Sequence, residues 1–207
     1  MKTQIITLIT ALTLGMGIVK TTKAAATSGD AVTILTGISG INRIEVYGNV
    51  KLYVSDGSKD EVKVYNKYYS ERTLVQNNNG VLRITSYKPE QLVVWVTAAD
   101  LRAITAYDNA EIKSFGNISK IEFELELHNS STAKFDLEAY SAKVTVNDQA
   151  KVDMSGRVEE YALRYNCAEN VNTDGLTVKH ADKASTQVVT ANKPKKDSND
   201  LAELLID

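Results

Sequence analysis

A short unit recurs through the second half of this chain, and its period restricts the fold more than any other feature. Segments starting ITAYDNAEIKS at Ile104, LELHNSSTAKFD at Leu125, VTVNDQAKVDM at Val144, LRYNCAENVNT at Leu163 and VKHADKASTQV at Val178 align by apolar spacing, with starts 21, 19, 19 and 15 residues apart. The fifth position of each unit reads Asp108, Asn129, Asp148, Cys167 and Asp182. A small residue follows: Ala110, Ala133 (after a two-residue insertion), Ala150, Ala168 and Ala184. One such unit cannot bury its apolar side alone, so several must stack. Stacked strands place equivalent positions in columns about 4.8 Å apart. Ile104, Leu125, Val144, Leu163 and Val178 are then the inward column, and the Asp/Asn positions are corners, where these residues accept left-handed backbone. The expectation is an all-β chain built as a parallel β-helix. A β-sandwich is the alternative, because it too uses short alternating strands with frequent turns.

The first half supports strands throughout. Ile44 and Val46 alternate, as do Val50, Leu52 and Val54 after Gly48-Asn49, and Val62 and Val64 open another strand. Asp56-Gly57 and Asn77-Asn78-Asn79-Gly80 are turn signals. The run QLVVWVT over Gln91–Thr97 is nearly continuous apolar, which suits a strand covered on both faces.

The N-terminus has the pattern of an export signal. Lys2 precedes an apolar stretch from Ile5 to Val19, and Ala24-Ala25-Ala26 offers small residues for cleavage. The stretch is short for a membrane span, which needs about 20 residues. Removing residues 1–26 takes away Lys2, Lys20 and Lys23 and no acid, which moves the net charge from −2 to −5. A mature acidic chain is a poor general nucleic-acid binder. Export with a single cysteine, Cys167, fits a bacterial periplasm or cell surface better than a disulfide-stapled secreted module. The expected organisation is a signal peptide at 1–26, a linker at 27–36, a β domain at 37–192 and a polar tail at 193–207. In that tail Leu201, Leu204 and Leu205 stand at near-helical spacing, so it either caps the last repeat or is a flexible tail.

The run GINRIEVYGNVKLYVSDGSKDEVKV from Gly40, then GVLRIT from Gly80, then LVVWVTAADLRAITAYDNAEI from Leu92, resembles the putative auto-transporter adhesin, head GIN domain family. The likeness lies in apolar spacing and turn positions over residues 37–192. It implies a secreted repetitive β fold, often a right-handed parallel β-helix, in gut bacteria of the Bacteroides kind, with an adhesin role and no catalytic residues to carry over. The chain departs from the pattern at Tyr107-Asp108-Asn109-Ala110, where relatives often carry a Gly/Ser-rich corner.

The sequence implies no cofactor and no metal. Asp108, Asn129, Asp148, Cys167 and Asp182 form a row broken by an amide and a thiol, and corner chemistry explains it better than a cation site. Asp108 and Asp148 fall two units apart, near 10 Å by strand spacing. That separation is borderline for the paired carboxylates of an inverting glycosidase, which need about 6.5–9.5 Å. His128 and His180 lie near corners and add no recognisable motif. Cys167 has no neighbouring cation to activate it. The composition does favour tyrosine, with 10 against 3 Phe and 1 Trp. Tyr65, Tyr68, Tyr69, Tyr87 and Trp95 are the candidate binding residues, with Trp95 expected on the outer face because alternation sets it opposite Val94 and Val96. The sequence therefore points to a non-catalytic module that binds glycan or an envelope or host protein through a flat face. A polysaccharide-active enzyme and a structural module that self-associates are the alternatives.

Overall fold

The computed structural model describes residues 32–65 and 74–185. The strands are β1 (Val32–Leu35), β2 (Arg43–Gly48), β3 (Val50–Asp56), β4 (Glu61–Tyr65), β5 (Leu74–Asn78), β6 (Val81–Ser86), β7 (Leu92–Ala98), β8 (Ala103–Ala106), β9 (Glu111–Ser114), β10 (Ile118–Leu127), β11 (Thr132–Val146), β12 (Lys151–Tyr165) and β13 (Val171–Ser185). A single 3₁₀ turn, Ala168–Asn170, is the only helical element among the described residues. The molecule is all-β, and its strands belong to one continuous curled sheet.

The long strands in the second half pair in parallel with the repeat as their offset. Ile104 lies beside Leu125, Leu125 beside Val144, and Val144 beside Leu163. All four are essentially removed from solvent. The column continues backwards through Ile44, which pairs with Ile104. A second inward column runs Leu52, Ile112, Ala133 and Val152. A third runs Ile118, Leu137 and Gly156. Burying one such aliphatic side chain stabilises by roughly 1.5–3 kcal/mol, and here every inward residue gains that burial from the rungs above and below it.

The corners explain where the chain turns. Gly48, Asp108, Asn129 and Asp148 all have positive φ, at 84°, 60°, 58° and 56°. Each ends one strand and redirects the chain into the next inward column. Asn79 and Gly80 also have positive φ, at 50° and 83°, and make the tight hairpin between β5 and β6. Two successive residues of that kind match the twist of antiparallel strands.

Stacking order departs from chain order in the first half. Strand β2 lies between β6 and β8, and β3 between β7 and β9. Residues 43–56 are thus inserted beneath residues 81–98. Antiparallel strands then cover that end, with β5 on β6, β4 on β7 and β1 on β4.

Several sequence expectations are corrected here. The fifth repeat is out of register: Val178 lies beside Val158, and Leu163 faces Lys183. Asp182 therefore sits within β13 beside Ala162, not at a corner. Cys167 is extended, with φ −131°, and opens the 3₁₀ turn. The small residue of the second repeat, after Asn129, is Ser131, not Ala133, because Thr132 pairs with both Glu111 and Lys151. Ser131 is fully buried, and its hydroxyl donates to the His128 carbonyl at 2.8 Å. A hydroxyl is thus tolerated where alanine stands in the neighbouring rungs because the turn supplies its partner. Strand β7 alternates strictly, with Leu92, Val94 and Val96 buried and Val93 and Trp95 half-exposed, so no second layer covers its outer face. Part of the segment read as a linker, Val32–Leu35, is strand β1 and pairs with β4. Residues 1–31 and 193–207 fall outside the described residues, and with them the expected signal peptide and tail.

Candidate functional site

The outer face of β1, β4, β7, β3 and β9 gathers most of the exposed apolar and aromatic side chains of the first half. Their inward partners, Val62, Val64, Val94, Val96, Leu52, Val54 and Ile112, fill the core. Alternation therefore sends the intervening residues outward. Strand pairing aligns them into two rows across the sheet. One row reads Ile34, Lys63, Trp95, Tyr53, Lys113, and the other Val32, Tyr65, Val93, Lys51, Glu111.

Aromatic contacts tie the rows together. The rings of Tyr53 and Trp95 stack with centroids 5.1 Å apart. Phe115, just past β9, meets Trp95 edge-on at 4.7 Å and stays 61% exposed. Val32 and Ile34 are 47% and 55% exposed at the edge of the same face. The Lys51 ammonium lies 5.9 Å from the Tyr53 ring centre.

The charges on this face are paired. Lys63 meets Glu61 at 2.6 Å, and Glu111 meets Lys51 at 3.0 Å and Lys113 at 2.7 Å. The hydrogen bond from Lys113, reinforced by Lys51, holds the Glu111 carboxyl below its ordinary range despite partial burial. Its bond to Glu111 in turn raises the Lys51 ammonium. The ion pairs leave no strong field of either sign. Recognition on such a face would rest on shape and apolar contact.

The predicted residues divide between places. Tyr65 and Trp95 lie on this face. Tyr87 stands at a corner: it is 70% exposed, beside Gly48 and the Asp108 carboxylate. Tyr68 and Tyr69 lie outside the described residues. Sequence reasoning missed Tyr53, Phe115, Val32 and Ile34. The outward phase of Tyr53 was available from the alternation around Leu52 and Val54. Phe115 gave no signal, because it reaches Trp95 only once β9 lies beside β3.

The corner row is a hydrogen-bonded chain. The Asp148 carboxylate accepts from the Asn129 backbone N–H at 2.9 Å, the Asn129 side-chain oxygen accepts from the Asp108 N–H at 3.2 Å, and the Asp108 carboxylate accepts from the Gly48 N–H at 3.1 Å. Beside it the rings of Tyr47, Tyr107 and His128 stack at 4.7 Å and 4.6 Å, nearly parallel. The inner ring faces of this column are spent on one another. Among the described residues no group of three or more His, Cys, Asp or Glu could hold a metal, and no helix is long and apolar enough to cross a membrane.

With this geometry in hand, the comparisons with known proteins decide the family. The putative auto-transporter adhesin, head GIN domain family matches residues 41–193. The chain belongs to that family. The head GIN fold is also seen in solved structures. A putative adhesin of Bacteroides fragilis superposes with TM-score 0.66 at 13% identity, covering 78% of each chain. A putative adhesin of Parabacteroides distasonis gives 0.59 at 14%, covering 76% of this chain and 79% of that one. A putative lipid binding protein of the same organism gives 0.58 at 8%, covering 77% and 79%. At these identities the likeness establishes the head GIN fold alone. No curated protein matches the sequence.

Proposed function

We propose that this chain is a non-catalytic adhesion module of the cell envelope or cell surface that holds a protein partner against the outward face of β4, β7 and β3. The observation that carries the reading is the Tyr53–Trp95–Phe115 cluster, set among Val32, Ile34, Tyr65 and Val93 and ringed by ion pairs. Aromatic anchors within a polar rim are the usual composition of a protein-contact centre. Sugar stacking asks for an open ring face, whereas Trp95 and Tyr53 turn theirs toward each other. The glycan reading keeps one specific support, the exposed rings of Phe115 and Tyr87.

The finer architecture belongs to the same proposal: a right-handed parallel β-helix whose first half narrows to two facing strand layers, exported by residues 1–26. A glycosidase reading loses ground because Asp108 and Asp148 already serve as acceptors for backbone N–H groups. Family membership fits an adhesin role.

The test is adhesion of the mature protein to bacterial envelopes and host epithelial surfaces. Each surface is treated beforehand with protease or with periodate. The expected result is binding that protease abolishes, periodate spares and the double substitution Tyr53→Ala/Trp95→Ala weakens at least ~10-fold. Binding unchanged by the double variant removes this face from consideration. Binding lost to periodate transfers the site to a glycan.

A further inference from the structure

The two ends of the stack carry different edge strands. At the end away from β13, β1 closes one layer and β5 the other, and no strand lies beyond either among the described residues. Both strands are free of charge: β1 reads VTIL and β5 reads LVQNN. Strand β13, at the opposite end, carries Asp174, Lys179, Asp182 and Lys183. Charged side chains on an edge strand oppose pairing with another chain, and an edge without charge or proline invites it. The chain therefore guards one end of its sheet and leaves the other open.

The open end is also unfinished inside. Leu35 of β1 and Val75 of β5 pack against the core but are only partly buried. On the outer face Val32 and Ile34 are 47% and 55% exposed. A two-fold axis normal to the sheet sets the β1 strands of two copies antiparallel, with outward residues beside outward ones. In the register centred on Thr33, Val32 of each copy meets Ile34 of the other, and the two Thr33 side chains meet on the inner face. Pairs of β-branched residues and of threonines are favourable across antiparallel strands. No like charges oppose this junction, because Lys63 and Glu61 on the next strand in, β4, already meet each other at 2.6 Å.

We propose that the chain forms a two-fold dimer, edge to edge through β1, with the β5 edges of the facing layer brought together on the same axis. The assembly closes at two copies because the charged β13 strands lie at its outer ends. Both Tyr53–Trp95–Phe115 clusters then look out from one surface. On the function proposed above, two contact centres side by side bind with avidity.

The experiment compares the mature chain with Ile34→Glu, Ile34→Val and Thr177→Glu by sedimentation equilibrium, with thermal melting to show that each variant is folded. Glutamate at 34 falls opposite Lys63 and glutamate at 177 beside Arg157, so each is matched within its own sheet. Hydrogen exchange of residues 32–35 is followed in the parent at low and high concentration. The expected result is a parent dimer whose β1 amides exchange at least ~5-fold slower at high concentration. Ile34→Glu should weaken the dimer at least ~10-fold, while Ile34→Val and Thr177→Glu leave it unchanged. A parent that stays monomeric up to about 1 mM overturns the proposal. So does a dimer that Ile34→Glu leaves intact or that Thr177→Glu breaks. Exchange in β1 that ignores concentration overturns it as well, and that readout needs no variant. No adhesion partner is present in these measurements, so their failure leaves the proposed function standing, and a failure of adhesion leaves the dimer standing.

Discussion

The carboxylate of Asp148 takes the backbone N–H of Asn129, one rung earlier, at 2.9 Å. The same bond recurs from Asn129 to Asp108 and from Asp108 to Gly48, so four positive-φ corners are linked in series. A corner residue here must accept left-handed backbone and also present an oxygen to its neighbour. Asp and Asn meet both demands. Asp148→Ala should therefore cost about 1–2 kcal/mol, combining the lost bond with the left-handed penalty. Asp148→Asn should stay within about 0.5 kcal/mol. Urea unfolding of the two variants separates this corner role from a ligand-binding one, under which both would leave stability unchanged.

Gly156 stands within β12 at φ 105°, and a Cβ built there would lie 2.2 Å from the Leu137 carbonyl oxygen. That oxygen is backbone and cannot swing away. Gly156→Ala should cost roughly 3 kcal/mol and lower the melting temperature by roughly 8 °C. A loss under 1 kcal/mol in a calorimetric scan would show that the third inward column yields more readily than its geometry says.

Trp95 is the sole tryptophan of the chain, so emission excited selectively in tryptophan reports on the proposed recognition face. Phe115 shields its edge. Phe115→Ala should shift the emission to the red and increase acrylamide quenching, with a stability change below about 1 kcal/mol. A partner bound at this face should do the reverse and shift emission to the blue. An emission maximum indifferent to Phe115→Ala would remove the contact on which the cluster depends.

Burial pushes the Tyr161 phenol from its ordinary 10.0 up to about 12. Below pH 10 the hydroxyl is protonated both folded and unfolded, and its full contribution is present. Above pH 10 the unfolded chain ionises while the folded one does not, so stability falls as pH rises, until about 12. The loss is on the order of 2 kcal/mol. Tyr161→Phe should abolish that part of the alkaline slope. It should also raise neutral-pH stability by about 1 kcal/mol, because the buried hydroxyl it removes has no partner. Equal slopes for parent and variant between pH 9 and 12 would contradict this account.

Much of this architecture was legible locally. Alternation around Ile104, Leu125, Val144 and Leu163 told which side chains point inward, because a strand's period is a property of its own backbone. Asp108, Asn129 and Asp148 announced corners because their short polar side chains tolerate left-handed conformation. What lay beyond the sequence concerns which strand lies beside which. The insertion of β2 beneath β6, the meeting of Phe115 with Trp95 and the displacement of Val178 to face Val158 all follow from long-range pairing. In the last repeat, spacing alone favoured Leu163 beside Val178, yet Leu163 faces Lys183. The irregular pairing between Asp153 and Ser155 puts one extra residue into β13 that a uniform repeat would not carry. The sequence by itself determined an all-β chain, the inward side of its strands through Leu163, and the corners at Asp108, Asn129 and Asp148. Only the tertiary structure decided the order of the strand stack and the face on which its aromatic residues meet, because burial of each rung depends on neighbours distant along the chain.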